Sequence, residues 1–556
     1  MSQNRIYTSS RPQVHLSESS LWHYLFPATS NFHPSQPAFI EGHTGRQLTR
    51  AEVEDVGLRV KTGLNRLGLH RGDTACLWGL NSLEWVKAGY GVMAAGMVAS
   101  TANASYEAKE IAHQLNNSGS TILFLDPECV PRFEEARAQL DYDFPTERVY
   151  LLTTREKNHT KYGVVDDLVR ERGVAEVFSG KDVHNTCWLG YSSGTTGLPK
   201  GVKTSHHNFT SQLSIVRQGY QPLSQADVLL GFVPLTHVYG SVLVLTQPFS
   251  VGCTAVILPR FDEKAALESI QKYKVTHALF VPPVFITLVH SKILKNYDIS
   301  SLTSIVSAAA PLSSELIEAF KKRVPQAVIT QAYGLTETSP LITAFTTAEA
   351  AGHDGHIGPL LPSWEARLVD LDGNDVPVGE RGELWVRGPC VMTGYHKNPE
   401  ATANAMHNEW FKTGDVVVVH PDGFLQVVDR VKELIKFKGF QVPPAELEAL
   451  LITHPKITDV AVLGLYDKNQ ATELPAAFVT TDEKINGPAD AAAFDKEIQA
   501  WVAGRVAKHK RLAGGVHIVD SVPKTPSGKI LRRFLREKGQ ADYDAKLAAS
   551  GVQAKL

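Results

Sequence analysis

Tyr191-Ser-Ser-Gly-Thr-Thr-Gly-Leu-Pro-Lys-Gly201 is the stretch on which the reading of this 556-residue chain turns. It follows a strand-like run, Thr186 to Tyr191, and supplies the hydroxyls of Ser192, Ser193, Thr195 and Thr196, glycines that let backbone N–H groups approach an anion, and one lysine. Those are the parts of a phosphate cradle. An ordinary polar loop draws on the same residue types, so composition alone leaves both readings open. The Walker loop GxxxxGK[ST] is the nearest competing pattern. Counted from Gly194, it asks for glycine at 199 and Ser or Thr at 201, where this chain has Pro199 and Gly201. The pattern fails twice, which excludes a kinase or GTPase loop of that type.

Outward from this loop, strand-like and helix-like segments alternate. Glu263 to Lys274 places Ala266, Leu267, Ile270 and Tyr273 on one helical face, and the apolar run Val275 to Val281 follows, closed by Pro282-Pro283. Strands at Ser304 to Val306 and Ala327 to Thr330 flank a helix at Ser314 to Val324. Such units imply parallel sheets covered by helices. After Trp364 the pattern changes to two strand–turn–strand stretches, Ala366 to Val386 and Asp415 to Val428, with Asp-Gly turns at 372–373 and 422–423. This predicts a β-rich, barrel-like subdomain. Beyond Arg430 helices are expected at Glu446 to Ile452 and Phe494 to Lys510, with strands at Val460 to Leu465 and Ala476 to Thr480. The expectation is an α/β protein with a large N-terminal domain, 1–429, of parallel-sheet α/β subdomains plus the β-rich part. A small mobile C-terminal α/β domain, 430–545, follows a hinge at 429–432, and 546–556 form a flexible tail.

The length exceeds what one core supports. Apolar residues make up 43% and charged residues 21%, and the formal net charge is -2. That balance is globular and gives no electrostatic footprint for nucleic acid. The five cysteines show no CxxC or Cys/His pairing, which argues against a disulfide framework or zinc site. Met1 to Arg5 leads into no apolar stretch, so no secretory signal is expected. The least polar window, Ala88 to Ala102, is too short and too rich in Gly, Ala and Ser for a transmembrane segment, and is read as a closely packed small-residue helix. The last three residues, Ala554-Lys555-Leu556, lie one conservative step from a Ser-Lys-Leu address. With Asp542 to Gln553 as a tether, they predict capture by the peroxisomal import receptor and localisation in the peroxisome, with the cytoplasm as the alternative.

Five further stretches stand in order along the chain: Val233-Pro-Leu-Thr-His237, Gln331-Ala-Tyr-Gly-Leu-Thr-Glu337, Trp410-Phe-Lys-Thr-Gly-Asp415, Asp429-Arg-Val-Lys-Glu-Leu-Ile-Lys-Phe-Lys-Gly439 and Pro523-Lys-Thr-Pro-Ser-Gly-Lys529. Together with the opening loop they resemble the adenylate-forming superfamily of acyl- and aryl-CoA ligases, beetle luciferases and peptide-synthetase adenylation domains. The 4-coumarate:CoA ligase-like branch is the most similar. The resemblance implies an ATP- and Mg2+-dependent acid–thiol ligase. A carboxylate is a poor acyl donor; attack on the α-phosphate of ATP makes a mixed anhydride, from which AMP is a competent leaving group for the thiol of coenzyme A. Such an enzyme must hold two anions together, neutralise charge at phosphorus and exclude water.

By the same resemblance, Ser192, Ser193, Gly194, Thr195, Thr196 and Lys200 would hold the triphosphate, Thr336 the α-phosphate and Glu337 the metal. A single carboxylate suffices for Mg2+ when phosphates supply the other oxygens. Tyr333 would stack on adenine beside Gln331 and the 309–311 backbone. Asp415 would bind the ribose, supported by Arg430. Lys529 would bridge the acyl carboxylate and the α-phosphate. A swing about Lys432 would then bring Lys436, Lys438 and Gly439 to the acyl-adenylate and coenzyme A, with Arg260 near the nucleotide end of the cofactor. His237 would stand between acyl pocket and thiol channel. The pocket departs from the 4-coumarate pattern: Val306 stands where a lysine is common, and Ala308 and Ala332 replace glycines beside Ala309. An apolar aryl or medium-to-long acyl acid is therefore at least as well supported as a hydroxycinnamate. A luciferase-like oxygenase and an adenylation enzyme loading a separate carrier protein remain alternatives at this level.

Overall fold

The computed structural model of the chain describes residues 5–29, 32–192, 199–219, 223–370, 372–438, 440–525 and 528–549. Two eight-stranded sheets among them carry the N-terminal domain. In the first, the strands Thr186–Ser192, Val98–Ala102, Thr74–Trp78, Ile122–Leu125, Val149–Leu151 and Gly163–Val164 run parallel in that spatial order. Lys200–Ser205 then returns antiparallel to Thr186–Ser192, with Lys200 opposite Ser192, and Gly394–Tyr395 pairs antiparallel beyond it. The phosphate-loop segment thus joins two neighbouring strands, whereas a Walker loop opens a helix. That topology is the physical counterpart of the failed spacing.

The second sheet runs Val328–Gly334, Ser304–Ser307, His277–Phe280, Val228–Gly231, Thr254–Ile257 and Pro37–Glu41 in parallel, with antiparallel edges at Leu341–Ala344 and Gln47–Thr49. Its helices start on short polar caps: Asp262 accepts from Ala265 N, and Ser313 from Leu316 N. The window Ala88 to Ala102, expected as one helix, is the end of a helix, Leu83–Ala94, followed by a strand, Val98–Ala102. Its small residues do serve close packing. A Cβ on Gly91 would come 2.3 Å from Val60 Cγ1 of the capped helix Arg50–Arg66.

The β-rich region is an open six-stranded sheet, which meets the β-rich expectation without closing into a barrel. Tyr7–Thr8, Glu365–Val369, Arg381–Arg387 and Trp410–Val419 lie side by side, and Met406–His407 and Leu425–Arg430 both pair with the last of these. The free side of Leu425 is taken by Ile357 and Gly358: Ile357 N donates to Leu425 O at 2.8 Å, and Leu425 N donates to Gly358 O at 3.2 Å. Of the two Asp-Gly turns, 422–423 forms the tight connection, while 372–373 lies within a longer loop between Val369 and Arg381.

The strand Leu425–Arg430 ends where the small domain begins, and a turn in which Glu433 N and Leu434 N donate to Arg430 O leads to the strand Ile435–Phe437. The small domain holds the helix Pro444–Leu451, the long hairpin Asp459–Asp467 with Thr472–Thr480, and the helix Pro488–Ala503. That last helix starts earlier than the expected Phe494, because Pro488 suits a first helical turn, and it stops at Gly504 rather than Lys510. The final helix, Arg532–Ala549, also corrects an expectation: the segment read as tether and tail is helical through Ala549. It is docked on the hairpin, with Tyr543 OH donating to Asp467 Oδ2 at 3.1 Å and Gln540 Nε2 to Tyr466 O at 2.9 Å. Ala554-Lys555-Leu556 lies outside the described residues. No helix among the described residues is long and apolar enough to cross a membrane.

Candidate active site

The strand Val328–Gly334 delivers the first functional group. It ends at Gly334, where a Cβ would come 1.8 Å from Pro340 O, so only glycine admits the sharp return of the chain. The short turn Thr336–Thr338 that follows rests on the phosphate-loop strands; a Cβ at Gly190 would stand 3.2 Å from Thr336 Cγ2. Glu337 is buried there. Its Oε1 accepts from Tyr395 OH at 2.9 Å and its backbone carbonyl from Met392 N at 2.8 Å. Oε2 takes no hydrogen bond among the described residues, which leaves a hard oxygen donor of the kind Mg2+ prefers. The Lys200 ammonium lies 4.4 Å from the centre of the same Tyr395 ring.

Asp415 and Arg430 are cross-strand partners, and Arg430 Nε lies 3.1 Å from Asp415 Oδ1. Tyr333 OH donates to Asp415 Oδ2 at 2.5 Å. Burial pushes the Asp415 carboxyl up from its ordinary value, while the Arg430 charge and the Tyr333 hydroxyl pull it back.

Lys529 reaches this cluster from the small domain. Its loop is closed by Thr525 N donating to Lys529 O and Lys529 N donating to Thr525 Oγ1, and it is anchored by Lys524 on Asp459. Gly528 (φ +82°) lets the loop press on the large domain; a Cβ there would come 3.0 Å from Pro283 Cδ. Burial, with the Arg430 charge next, pulls the Lys529 ammonium down to about 8, against the opposing pull of Glu433, Asp415 and Glu337. Burial and the Lys529 charge likewise bring His237 down to about 4. His237 is therefore a neutral imidazole at pH 7. Its Nδ1 accepts from Tyr239 N at 3.2 Å, which leaves the proton on Nε2.

The other expected residues divide. Gln331 is committed to backbone: Oε1 accepts from Leu312 N at 2.9 Å and Nε2 donates to His356 O at 3.1 Å, so it braces the 309–312 loop. Val306, Ala308 and Ala332 are buried. Ala309, not Ala308, takes the left-handed conformation (φ +74°), so the extra methyl at 308 carries no backbone strain. Lys432, Lys436 and Lys438 are exposed. Lys438 (φ +47°) occupies the two-residue turn between Phe437 and Phe440. Arg260 lines a separate cleft of about 430 Å3 with Glu41, Arg46, Glu84 and Asp126. Ser193, Gly194, Thr195, Thr196 and Gly439 lie outside the described residues.

Two participants escape the sequence reading. Asn81 ties the Val233–His237 loop to the first sheet, its amide donating to Val233 O and Leu258 O and its oxygen accepting from Leu235 N. Tyr395 joins Glu337 to Lys200 from a strand of two residues, too short for any periodic signal.

The site therefore holds a buried carboxylate, Glu337, a second buried carboxylate, Asp415, backed by arginine, and a lysine supplied by the small domain, an arrangement suited to an adenylate-forming enzyme. Comparison with known proteins agrees. An AMP-binding enzyme model matches residues 26–396 and an AMP-binding enzyme C-terminal domain model matches residues 446–529. The chain is 35% identical to 4-coumarate--CoA ligase 3 of Oryza sativa subsp. japonica, covering 99% of this chain and 98% of that one. It is 35% identical to peroxisomal OPC-8:0-CoA ligase 1 of Arabidopsis thaliana, covering 91% of each. The solved structure of the anthranilate CoA ligase AuaEII with anthranoyl-AMP superimposes with a TM-score of 0.83 at 26% identity, covering 96% and 98% of the two chains. The chain belongs to the AMP-binding enzyme family. It is an AMP-forming acid–thiol ligase that makes an acyl-adenylate and then a coenzyme A thioester.

Proposed function

We propose that adenylation runs with Lys529 seated as described and that thioester formation follows a swing of the small domain about Lys432. The observation that carries the proposal is the convergence of Lys529, Asp415, Arg430, Glu337 and His237 on one site across two domains. Lys200 and the hydroxyls and amides of the 192–196 segment bind the triphosphate of ATP, and Glu337 holds Mg2+, which supplies charge neutralisation at the phosphates when bound. Asp415 accepts from the ribose hydroxyls in place of the Tyr333 hydroxyl. Lys529 draws the acyl carboxylate and the α-phosphate together; a carboxylate oxygen attacks phosphorus and the bond to pyrophosphate breaks. After the swing, Lys436, Lys438 and Gly439 meet coenzyme A, with Arg260 toward its nucleotide. The sulfur attacks the acyl carbon, AMP leaves and the thiol proton passes to solvent. His237, neutral with its proton on Nε2, acts as a hydrogen-bond donor at the junction.

For the acid, the buried apolar set Val306, Ala308 and Ala332 supports an aryl or medium-to-long acyl chain with an apolar distal end. Incubation with ATP, Mg2+, coenzyme A and a panel of acids, followed by measurement of acyl-CoA and AMP, tests this. The highest kcat/KM belongs to an acid without a distal hydroxyl; a clear preference for 4-hydroxycinnamate overturns the substrate assignment. For location, we propose that Ala554-Lys555-Leu556 is read by the peroxisomal import receptor, a reading supported by the peroxisomal relative.

A further inference from the structure

We propose that Tyr395 is a positioning residue for the adenylation step, holding Glu337 and Lys200 apart and aimed so that the metal–triphosphate complex can enter between them. The proposal rests on the roles given above to Glu337 and Lys200.

Tyr395 is buried, and its position is fixed from several sides. The strand Gly394–Tyr395 pairs with Lys200–Ser205, Val202 lying opposite Tyr395. Tyr395 N donates to Thr402 Oγ1 at 2.9 Å, and His396 N donates to Gly201 O at 2.7 Å. The side chain then serves two opposite charges. Its hydroxyl donates to Glu337 Oε1 at 2.9 Å, and its ring lies beneath the Lys200 ammonium at 4.4 Å. Burial and the Glu337 carboxylate push the phenol above its ordinary value, so at neutral pH the hydroxyl keeps the proton it donates.

The arrangement answers a problem that two opposite charges in one site pose. A lysine and a glutamate meant for the same ligand attract each other when the ligand is away. A direct ion pair between them would have to be broken before each nucleotide could bind. Lys200 forms no ion pair among the described residues; its ammonium rests on the electron-rich ring face instead. Glu337 has one oxygen occupied by a neutral donor and the other open. A ring is a weak, non-competing partner for the cation, and a phenol is one for the anion. Glu337 is buried and Lys200 half-buried, and both are kept oriented and available, which is the preorganisation that electrostatic catalysis requires.

The test is Tyr395→Phe, which keeps the ring and deletes the donor, with Tyr395→Leu, which deletes both. Binding of ATP is measured by calorimetry with Mg2+ and with EDTA, alongside the two half-reactions: adenylation by pyrophosphate release, and thioester formation from supplied acyl-adenylate. Tyr395→Phe is expected to raise the half-saturating Mg2+ about tenfold and to leave ATP affinity in EDTA within about twofold, while the thioester half-reaction stays within about twofold. Tyr395→Leu is expected to weaken ATP binding in EDTA as well. Unchanged Mg2+ dependence in Tyr395→Phe overturns the proposal. So does an equal loss in both half-reactions, or a variant that does not fold, since either marks the residue as structural. Glu337→Gln separates the layers: if it too keeps its Mg2+ dependence, the assignment of the metal to Glu337 falls; if it loses that dependence while Tyr395→Phe keeps it, only the role of Tyr395 falls.

Discussion

The charge state of Lys529 should set the alkaline limb of adenylation. In the role proposed for it the ammonium bridges two anions, yet burial and Arg430 bring its pKa down to about 8. A group with that value is about 91% protonated at pH 7 and about 9% protonated at pH 9, so a rate that needs the ammonium falls about tenfold between them. Because kcat/KM reports the free enzyme, the value to expect in that plot is the one without nucleotide; bound phosphates would raise it in kcat. The sign is fixed by the shift. An ordinary lysine near 10.4 would give a flat profile through pH 9, whereas a lowered one gives a loss that begins at about pH 7 and is half complete at about pH 8. The assay is initial pyrophosphate release at subsaturating ATP from pH 6.5 to 9.5, repeated with Lys529→Arg. The guanidinium does not titrate in this range, so the alkaline limb should disappear even if the variant is slower at every pH. A flat profile in the unsubstituted enzyme, or the same alkaline loss in Lys529→Arg, would refute the role. Thioester formation from supplied acyl-adenylate should not show the limb and should survive Lys529→Ala.

Three other outcomes follow from the same geometry. Asp415→Asn removes the charge-assisted contact to Arg430 and the anionic ribose acceptor, an effect of about 1.5–3 kcal/mol, so KM for ATP should rise at least tenfold; an unchanged KM would separate Asp415 from the ribose. Gly528→Ala places a methyl 3.0 Å from Pro283 at φ +82°, a strain of about 1–2 kcal/mol. Adenylation should drop several-fold while the thioester half-reaction is spared, and equal losses in the two would contradict the seating of that loop. Deleting Ala554–Leu556 should leave a fluorescently tagged protein diffuse in cells; punctate localisation of the truncated chain would rule the address out.

How much of this was legible beforehand depends on range. Lys200, Glu337, Asp415 and Lys529 sit in local, ordered motifs, so a sequence reading could single them out as a set; the structure brings Lys200 and Glu337 to opposite sides of Tyr395 and Arg430 to Asp415. The parallel sheets were legible for a similar reason, since each strand–helix–strand unit is read within a few tens of residues. The Asp-Gly turns likewise announced the β-rich region, but not its full extent, because one of its strands, Tyr7–Thr8, comes from the far end of the chain to pair with Glu365–Val369. The tail failed differently: a polar, charged sequence reads as tether, yet Leu535 and Tyr543 give the final helix a face to bury on the hairpin. Gln331 was expected beside adenine with the 309–311 backbone; that its amide is held by Leu312 N and His356 O is a pairing no local pattern announces. Tyr395 is the limiting case, with function decided by a neighbour strand far away in sequence.

The strand Lys200–Ser205 begins directly opposite the end of Thr186–Ser192, with Lys200 facing Ser192. The lysine is thus mounted on the sheet itself, at the first residue of a strand that Gly394–Tyr395 also pairs with on its other side. The backbone of that strand is held by hydrogen bonds on both flanks, so the anchor of the ammonium is set by the fold before any ligand arrives.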